Sequence, residues 1–218
     1  WCDPARDVEC VSGPLDILDH AAPYFGAGTK LGFDCTPRRE GEQAGDPRPI
    51  SAQPRAPLAP DGAERLLAQV RAIPGVRDAA LPDALGRHWL FVSIDKTRPG
   101  QGRETLEAIF SASLSRSGRG KGGGLPPFII ILDAPVNVHD FDEALFHWCA
   151  NTDAGRDREL SPSRDALGFD ATTKIAGPGG DNANGYAARP FPPIIRMSDE
   201  IRERVDRRWG EYGIPLAR

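Results

Sequence analysis

The heptapeptide PFIIILD, from Pro127 to Asp133, restricts the fold of this chain more than any other stretch. Its five consecutive apolar residues, several of them β-branched, predict a strand buried on both faces, which is typical of parallel sheets. A second β-rich run, His88 to Ile94, precedes it, and apolar spacing predicts a helix from Gln101 to Leu114 between them. Two strands joined through a helix prefer to be parallel, so the sequence predicts an α/β fold built on a βαβ unit.

Further helices are predicted around this unit. Asp61 is placed to begin one of them, before apolar residues at helical spacing. Asp140 and Glu143 have the spacing of a capping box at the start of a second helix. The last helix is predicted to begin at Ser198 and to end at Gly210, with acidic residues in its first turn and arginines near its end.

Two stretches of the chain repeat. LGFDCT, from Leu31 to Thr36, returns as LGFDAT, from Leu167 to Thr172. Upstream of each copy, Trp-Cys is followed by polar residues and then Arg-Asp, once in Trp1–Asp7 and again in Trp148–Asp157. Ordered matches at similar offsets indicate a duplicated unit whose second copy has a shorter connection.

The residues that recur within the repeat favour a shared turn over catalysis. Asp34 and Asp170 occupy the same place in the two copies, and Lys30 and Lys174 recur loosely. An aspartate at such a place commonly caps the backbone N–H groups of a turn.

The repeat also divides the chain. Residues 1–36 are predicted to form a helix end followed by turns, as the end of a first unit. Residues 37–60 contain six prolines and read as a surface linker, and residues 61–218 form a second α/β unit. The first copy lacks the patterned sequence that precedes Trp148 in the second. We therefore expect the chain to be the C-terminal part of a longer protein.

Composition excludes several classes of function. The net charge is −4 and the pI near 5.6, so no basic surface for nucleic acid is expected. No apolar run approaches the roughly 20 residues that span a bilayer, and Trp1 opens into polar sequence without the pattern of a signal peptide. The four cysteines form no Cys-x-x-Cys and read as free thiols of a cytoplasmic protein.

Two short motifs resemble functional sites, but a structural interpretation is favoured for each. GRGKGG, Gly118 to Gly123, matches Gly-x-Gly-x-x-Gly, yet it follows a helix and precedes a strand, the reverse of a dinucleotide site. A mobile surface loop is favoured there, with an unrelated nucleotide-binding protein as the remote alternative. Glu143 and His147 lie one helical turn apart, but no third metal ligand is placed by spacing, so an exposed helical pair is favoured.

Lys96 is the candidate binding residue. With Asp95 it closes the strand that ends at Ile94, and ligands of open α/β sheets sit beyond the carboxyl ends of strands. A lysine there could hold a phosphate or pair with a carboxylate. The alternative is a solvated lysine in a turn.

Several stretches resemble the C-terminal region of the UbiD-type decarboxylases. Within residues 1–36, CDPARD and the run ending in LGFDCT resemble that family's Asp-Pro-Ala-Arg-Asp and Gly-Ile-Asp-Ala-Thr motifs. The tail RPFPPIIRMSDEIRERVDRRWGEYGI, residues 189–214, resembles the family's ending, and residues 91–110 and 128–153 resemble the strand–helix–strand–helix before it. The resemblance covers residues 1–36 and about 88–212.

The resemblance implies a fold and an activity. Family members are non-oxidative decarboxylases of aromatic or α,β-unsaturated carboxylic acids and use prenylated FMN with a divalent metal (Mn²⁺) and K⁺. A flavin prenyltransferase supplies the cofactor. Because the C-terminal unit occurs here about one and a half times, the chain is similar to the long members placed in menaquinone biosynthesis.

The resemblance also assigns the chemistry to residues outside this chain. The family's catalytic Glu–Arg–Glu set and most cofactor contacts lie in an N-terminal domain, and no position here matches them. We therefore expect no catalytic residue and no metal ligand in this chain, which alone would be inactive. Lys96 is the one cofactor contact that the resemblance implies. A homo-oligomer is expected, with at most peripheral membrane association, and a non-catalytic assembly module is the alternative.

Overall fold

A computed structural model describes residues 4–5, 7–14, 20–36, 57–114, 124–182, 186, 188–192, 195 and 197–214. Seven strands and five helices lie within these ranges. The strands are β1 (Val8–Pro14), β2 (Ala27–Phe33), β3 (Val76–Ala80), β4 (Trp89–Ile94), β5 (Phe128–Asp133), β6 (Arg158–Leu160) and β7 (Leu167–Asp170). The helices are α1 (Pro60–Arg71), α2 (Gln101–Leu114), α3 (Phe141–Asn151), α4 (Ala154–Asp157) and α5 (Asp199–Arg208).

The centre of the molecule is a five-stranded sheet in the order β3-β4-β5-β7-β6. Strands β4, β5 and β7 are parallel, and β3 and β6 pair antiparallel at the two edges. Residues Phe128–Leu132 of β5 are all buried, which agrees with the strand predicted from the unbroken apolar run. The connection β4–α2–β5 is the predicted βαβ unit, and the α/β prediction is confirmed.

Helices cover both faces of this sheet. Side chains of β5 alternate between the faces, so that Ile130 packs in a cluster with Trp148 of α3, whereas Ile129 and Ile131 pack in a second cluster with α2. Leu106 and Ile109 of α2 are both buried in that second cluster. Two apolar layers therefore hold the central sheet between α2 and α3.

The starts of α3 and α5 match the sequence, whereas the predicted start of α1 and the predicted end of α5 do not. Asp61 does not cap α1, because the helix already begins at Pro60 after the N-cap Ala59 and no side-chain hydrogen bond caps it. The Asp140 carboxylate caps α3 and accepts hydrogen bonds from the N–H groups of Asp142 (3.1 Å) and Glu143 (3.2 Å). The predicted stop of the last helix at Gly210 is wrong. After Arg208 the chain continues as a 3₁₀ turn through Trp209–Tyr212, and Gly213 ends it with a positive φ of 65°.

The N-terminal hairpin, which we define as β1 and β2, was not predicted. In place of a helix end followed by turns, Val8–Pro14 and Ala27–Phe33 form a separate two-stranded antiparallel sheet. The sequence VECVSGP of β1 shows no clear alternation of apolar and polar residues, because this strand is only partly buried. The short apolar pattern behind the helix prediction falls largely on residues 15–19, outside the described residues.

The N-terminal hairpin and the β6–β7 pair have the same register. In the hairpin, Val8, Glu9 and Cys10 face Phe33, Gly32 and Leu31. In the β6–β7 pair, Arg158, Glu159 and Leu160 face Phe169, Gly168 and Leu167. Each β1 residue corresponds to the β6 residue 150 positions later, and each β2 residue to the β7 residue 136 positions later. The repeated sequence thus forms the same local structure twice.

The boundaries of the predicted units fall partly on residues that lie outside the description. The Pro-rich stretch is described only from Pro57 onward, and the Gly118–Gly123 motif is not described. Within the described residues, no helix is both long enough and apolar enough to cross a membrane.

Candidate functional site

Three parallel strands end beside one another and bring polar residues together. Lys96 follows β4, Asp133 ends β5, and Asp170 ends β7. Because parallel strands present their carboxyl ends at one edge of the sheet, this is where an open α/β sheet places a ligand site.

Lys96 is buried in this region and makes an ion pair. Its ammonium Nζ lies 2.7 Å from Oδ2 of Asp181 and donates a hydrogen bond to Thr172 Oγ1 at 3.0 Å. The Lys96 side chain is only 4% exposed, so the solvated-turn interpretation is wrong for this lysine. Of the two roles that the sequence left open, this lysine thus makes the pairing with a carboxylate within the chain.

Asp181 joins three segments of the chain. Its Oδ1 accepts a hydrogen bond from the N–H of Gly100 at 2.6 Å, just before α2. Its Oδ2 accepts one from the N–H of Ile175 at 2.6 Å, after β7, and also faces Lys96, after β4. Removing this carboxylate would therefore release three segments at once, whereas neutralising Lys96 would release only the segment after β4.

A second ion pair lies beside the first. Lys174 Nζ is 3.2 Å from Oδ1 of Asp170 and 3.6 Å from Oδ1 of Asp157, and its side chain is 1% exposed. Lys174 also donates to the backbone carbonyls of Asp170 and Thr172. Asp170 in turn accepts from the Thr172 N–H at 3.0 Å and from the Thr172 hydroxyl. This lysine closes the turn that follows β7.

Arg156 completes the cluster with a two-point pair. Its Nε lies 2.7 Å from Oδ1 of Asp157 and its Nη2 lies 2.8 Å from Oδ2. Both side chains are almost fully buried, at 1% and 3% exposure. A planar guanidinium on a carboxylate is the strong geometry for such a pair. Both partners belong to α4, and the contact of Asp157 with Lys174 links this helix to the turn after β7.

The N-terminal hairpin is fastened to this cluster through Asp153. Oδ2 of Asp153 accepts from the N–H of Thr29 at 2.9 Å, and its Oδ1 accepts from the Thr29 hydroxyl at 2.8 Å. The Thr29 hydroxyl also accepts from the N–H of Gly155 at 2.6 Å. Asp153 is at the same time the N-cap of α4, so one carboxylate holds both the helix and the hairpin.

The first turn of α2 lies directly against Asp170. A methyl group at Gly102 would overlap the Asp170 carboxyl group, so glycine is required for this approach. The N-terminus of a helix carries a partial positive charge, which favours a carboxylate at that place.

The pKa values of two aspartates shift in opposite directions. Burial by itself raises the pKa of Asp170, but the charges of Lys174 and Lys96 and the hydrogen bonds from Thr172 outweigh it and lower the pKa to about 2. Burial raises the pKa of Asp157, and the nearby Asp170 charge adds to that effect against Lys174 and Arg156. Asp170 is therefore the firmly ionised member of the cluster.

A cavity of about 260 Å³ opens onto these groups and is lined by Gly100, Arg103, Arg156, Asp170 and Lys174, among others. It falls below the roughly 300–1,000 Å³ typical of sites for small molecules and cofactors. Its charged walls are also already paired with one another. A whole flavin does not fit this cavity as built by the described residues.

The described residues also lack a metal centre, since no group of three His, Cys, Asp or Glu side chains among them is placed to hold an ion. Glu143 and His147, the pair that the sequence offered as a metal site, are therefore not joined by a third such side chain among the described residues. Two other histidines have polar partners: His139 lies 2.9 Å from Asp78 Oδ2, and His20 lies 3.1 Å from Asn151 Oδ1. Asp95, next to Lys96, pairs with the exposed Arg77.

The recurring aspartates do make the turn that the sequence predicts. Asp34 accepts from the N–H of Thr36 at 2.9 Å, as Asp170 does from that of Thr172. The loose match of Lys30 with Lys174 is wrong, because the shared register aligns Lys30 with Ala166.

Sequence reasoning did not assign functions to three residues of the cluster. Arg156 and Asp157 belong to the repeated Arg-Asp motif, so the repeat itself carried the signal. Asp181 follows Gly179 and Gly180 in a loop and gives no local signal, because its role arises only where three loops meet.

Comparison with known proteins gives one family. The family model described as the 3-octaprenyl-4-hydroxybenzoate carboxy-lyase C-terminal domain matches residues 62–179. A protein of Aquifex aeolicus is 31% identical over 157 residues, which cover 65% of this chain and 29% of that protein. A protein of Aeropyrum pernix is 29% identical over 159 residues, with the same two coverages. This chain thus spans less than a third of the length of these relatives.

Solved structures with a similar fold include an evolved dimeric form of the UbiD-class enzyme HmfF from Pelotomaculum thermopropionicum, in complex with prFMN. It is 23% identical, with a TM-score of 0.41 over 51% of this chain and 24% of that one. The closed form of the vanillic acid decarboxylase of Sedimentibacter hydroxybenzoicus is 12% identical, with a TM-score of 0.47 over 68% of this chain and 31% of that one.

Proposed function

This chain belongs to the UbiD-type carboxy-lyases, whose C-terminal domain it carries over residues 62–179, and on that basis we propose that it is the C-terminal part of a non-oxidative decarboxylase. The proposed substrate is an aromatic or α,β-unsaturated carboxylic acid, in quinone biosynthesis of the menaquinone or ubiquinone type. The family match is the observation that carries the proposal. The chain spans 29% of two of its relatives, so the activity is that of a longer protein.

We propose that the cofactor, prenylated FMN with Mn²⁺ and K⁺, is bound mainly by residues outside this chain. When bound, such a flavin supplies an electron sink for the loss of CO₂. The small volume of the cavity, about 260 Å³, and the pairing of its charged side chains with one another support a cofactor site formed mainly by residues outside this chain. The role proposed for this chain is to form a rigid wall of the whole site and to contribute to a homo-oligomer in the cytoplasm.

The contact of Lys96 with the cofactor stays a prediction. Because its ammonium is engaged by Asp181 and Thr172, two roles can be separated in the longer protein. If Lys96 contacts the cofactor, Lys96→Met lowers the flavin content more than Asp181→Asn does. If Lys96 serves only to hold Asp181, the two variants lower it equally. Flavin absorbance per protein chain measures both.

The proposed function is tested by expressing the longer polypeptide together with a flavin prenyltransferase. We expect flavin absorbance and release of CO₂ from an aromatic or unsaturated acid by the longer protein. The 218-residue chain prepared in the same way should show neither. Turnover by the 218-residue chain, or its absence from a flavin-loaded longer protein across such acids, would contradict the proposal.

A second candidate function is a non-catalytic assembly module. Helix α5 supports it, because none of its residues is buried and Ile201 is 47% exposed. Nearby, Ile195 and Met197 are exposed as well. Deletion of residues 198–214 from the longer protein separates the two functions. Loss of the oligomer with turnover retained favours assembly alone for this segment, whereas loss of both favours a role in the active site.

We further propose the organisation predicted from the repeat. Residues 1–36 form the end of a first unit, residues 37–60 form a Pro-rich linker, and residues 61–218 form a second α/β unit. The shared register of the N-terminal hairpin and the β6–β7 pair supports this organisation.

A further inference from the structure

The β6–β7 pair shows what covers the outer edge of the repeated structure. On that edge of β7, the Leu167 N–H donates to the Pro127 carbonyl at 2.8 Å, and the Ala171 N–H donates to the Ile131 carbonyl at 2.8 Å. Strand β5 therefore runs parallel along β7. The matching residues of the N-terminal hairpin are Leu31 and Cys35, and no strand pairs with that edge of β2 within the described residues.

The missing neighbour changes the burial of the repeated residues. Residues 168–172 of the β6–β7 pair are all buried, whereas residues 32–36 of the hairpin are all exposed. Phe169 is 0% exposed and its counterpart Phe33 is 36% exposed. The same motif, in the same register, is thus interior in one copy and much more exposed in the other, where Phe33 contacts Phe128 and Trp148 edge-on.

The glycine at the centre of the motif points to a helix as well as a strand. A methyl group at Gly168 would overlap the Leu106 side chain of α2, so glycine lets α2 pack closely on the sheet. A methyl group at the matching Gly32 would meet no atom within 4 Å. Within the described residues, close packing therefore gives a reason for glycine at position 168 and none at position 32.

The outer edge of β2 is closed at Thr29 and open from Leu31 onward within the described residues. Thr29 directs its N–H toward Asp153, which closes the start of the β2 edge. Beside the rest of it lies a cavity of about 290 Å³, lined among others by Leu31, Phe33, Trp148 and Cys149. Apolar side chains of β2 and of α3 thus line this cavity.

We propose that the outer edge of β2 receives a parallel strand, and that the helix preceding this strand packs over Gly32. The occupant is the segment of the same polypeptide that precedes residue 1. In the second unit β5 ends at Asp133 and β6 begins at Arg158, whereas β1 begins only at Val8. At the same spacing, the counterpart of β5 lies upstream of this sequence. The greater length of the relatives agrees with an upstream segment.

The Pro-rich stretch does not suit the role. Residues 37–60 contain six prolines, and proline cannot donate to a sheet ladder. A parallel partner of β2 that follows it in the chain would also need a crossover of about a dozen residues or more before its strand begins.

Cysteine labelling tests the proposal directly. A variant that retains Cys35 as its single cysteine is prepared both as the 218-residue chain and within the longer encoded polypeptide. We expect maleimide to label Cys35 rapidly in the short chain and ~100-fold more slowly in the longer one, as for a site reached only by local opening. The matched control is Ala171→Cys in the same background, which β5 covers and which should react slowly in both.

Substitution of the paired glycines gives a second readout. In the short chain Gly168→Ala should lower the Tm by about 2–8 °C, as expected for overpacking in a domain of this size, while Gly32→Ala leaves the Tm unchanged. In the longer polypeptide both substitutions should lower it. An unchanged Tm for Gly32→Ala there would overturn the packed helix.

Three further outcomes would overturn the proposed strand on β2. Equal labelling of Cys35 in both proteins, or an encoded polypeptide that begins at residue 1, would overturn it. Protection of Cys35 in the short chain that grows with protein concentration would assign the edge to a second copy of the chain, and would overturn the upstream segment as its occupant. None of these readouts requires decarboxylation, so the failure of this inference and of the proposed function are distinguishable.

Discussion

The N-terminal hairpin and the β6–β7 pair share their register and an Asp–Thr turn, and β2 and β7 carry nearly the same Leu-Gly-Phe-Asp-x-Thr motif. They differ in what surrounds them. Asp170 is buried among Lys174, Lys96 and Thr172, whereas Asp34 is exposed beside Thr36. The local sequence therefore determines the turn, and the neighbouring strand and helix determine whether its carboxylate becomes part of a buried ion cluster.

The largest expected difference between the two regions comes from removing the aspartate charge. Asp170→Asn removes the carboxylate that lies 3.2 Å from the buried Lys174 ammonium and should lower the free energy of unfolding by about 3–5 kcal/mol. The matched variant Asp34→Asn, at an exposed turn, should cost much less. Urea unfolding of both variants of the 218-residue chain measures the contrast. Equal losses would show that the two aspartates are equivalent despite their surroundings.

Acid should reveal the contribution of the Asp170 charge to stability. The pKa of Asp170 falls from its ordinary value of 3.8 to about 2 on folding, so the folded state binds fewer protons than the unfolded one in that range. Its contribution, about 2 kcal/mol, is therefore present above pH 4 and is lost as the pH falls through 2. The stability lost between pH 4 and 2 should be smaller in Asp170→Asn than in the parent chain. A loss of the same size in both would contradict the assigned pKa.

The threonines of the turn should give the smallest contrast. Thr172→Val removes the hydroxyl that accepts from Lys96 and donates to Asp170, and should cost about 1–3 kcal/mol because buried partners lose a hydrogen bond. Thr36→Val removes only an exposed hydrogen bond to Asp34 and should change stability by less than about 0.5 kcal/mol. Urea midpoints of the two variants give the comparison, and a larger loss for Thr36→Val would reverse it.

Strong apolar patterning made β4, α2 and β5 predictable, whereas β3, β6 and β7 were not predicted. The apolar run of β5 and the spacing of α2 gave the parallel sheet and its crossover, and α2 runs from Gln101 to Leu114 as predicted. The position of Lys96 at a strand end followed from the same order of elements. Each of these signals lies within a single segment.

The rest depends on contacts between distant segments. Strand β1 was missed because VECVSGP lacks alternation and gains its pairing only from β2. Asp181 was missed because its partners come from three separate loops. In neither case does the local pattern contain the partner that defines the structure.

Amide hydrogen exchange tests most directly the central claim that the two regions are copies of one unit with different cover. In the 218-residue chain the account predicts slow exchange at Leu167, Phe169 and Ala171 and fast exchange at Leu31, Phe33 and Cys35. In the longer polypeptide it predicts slow exchange at all six. Fast exchange at Leu31, Phe33 and Cys35 in both proteins would contradict the account.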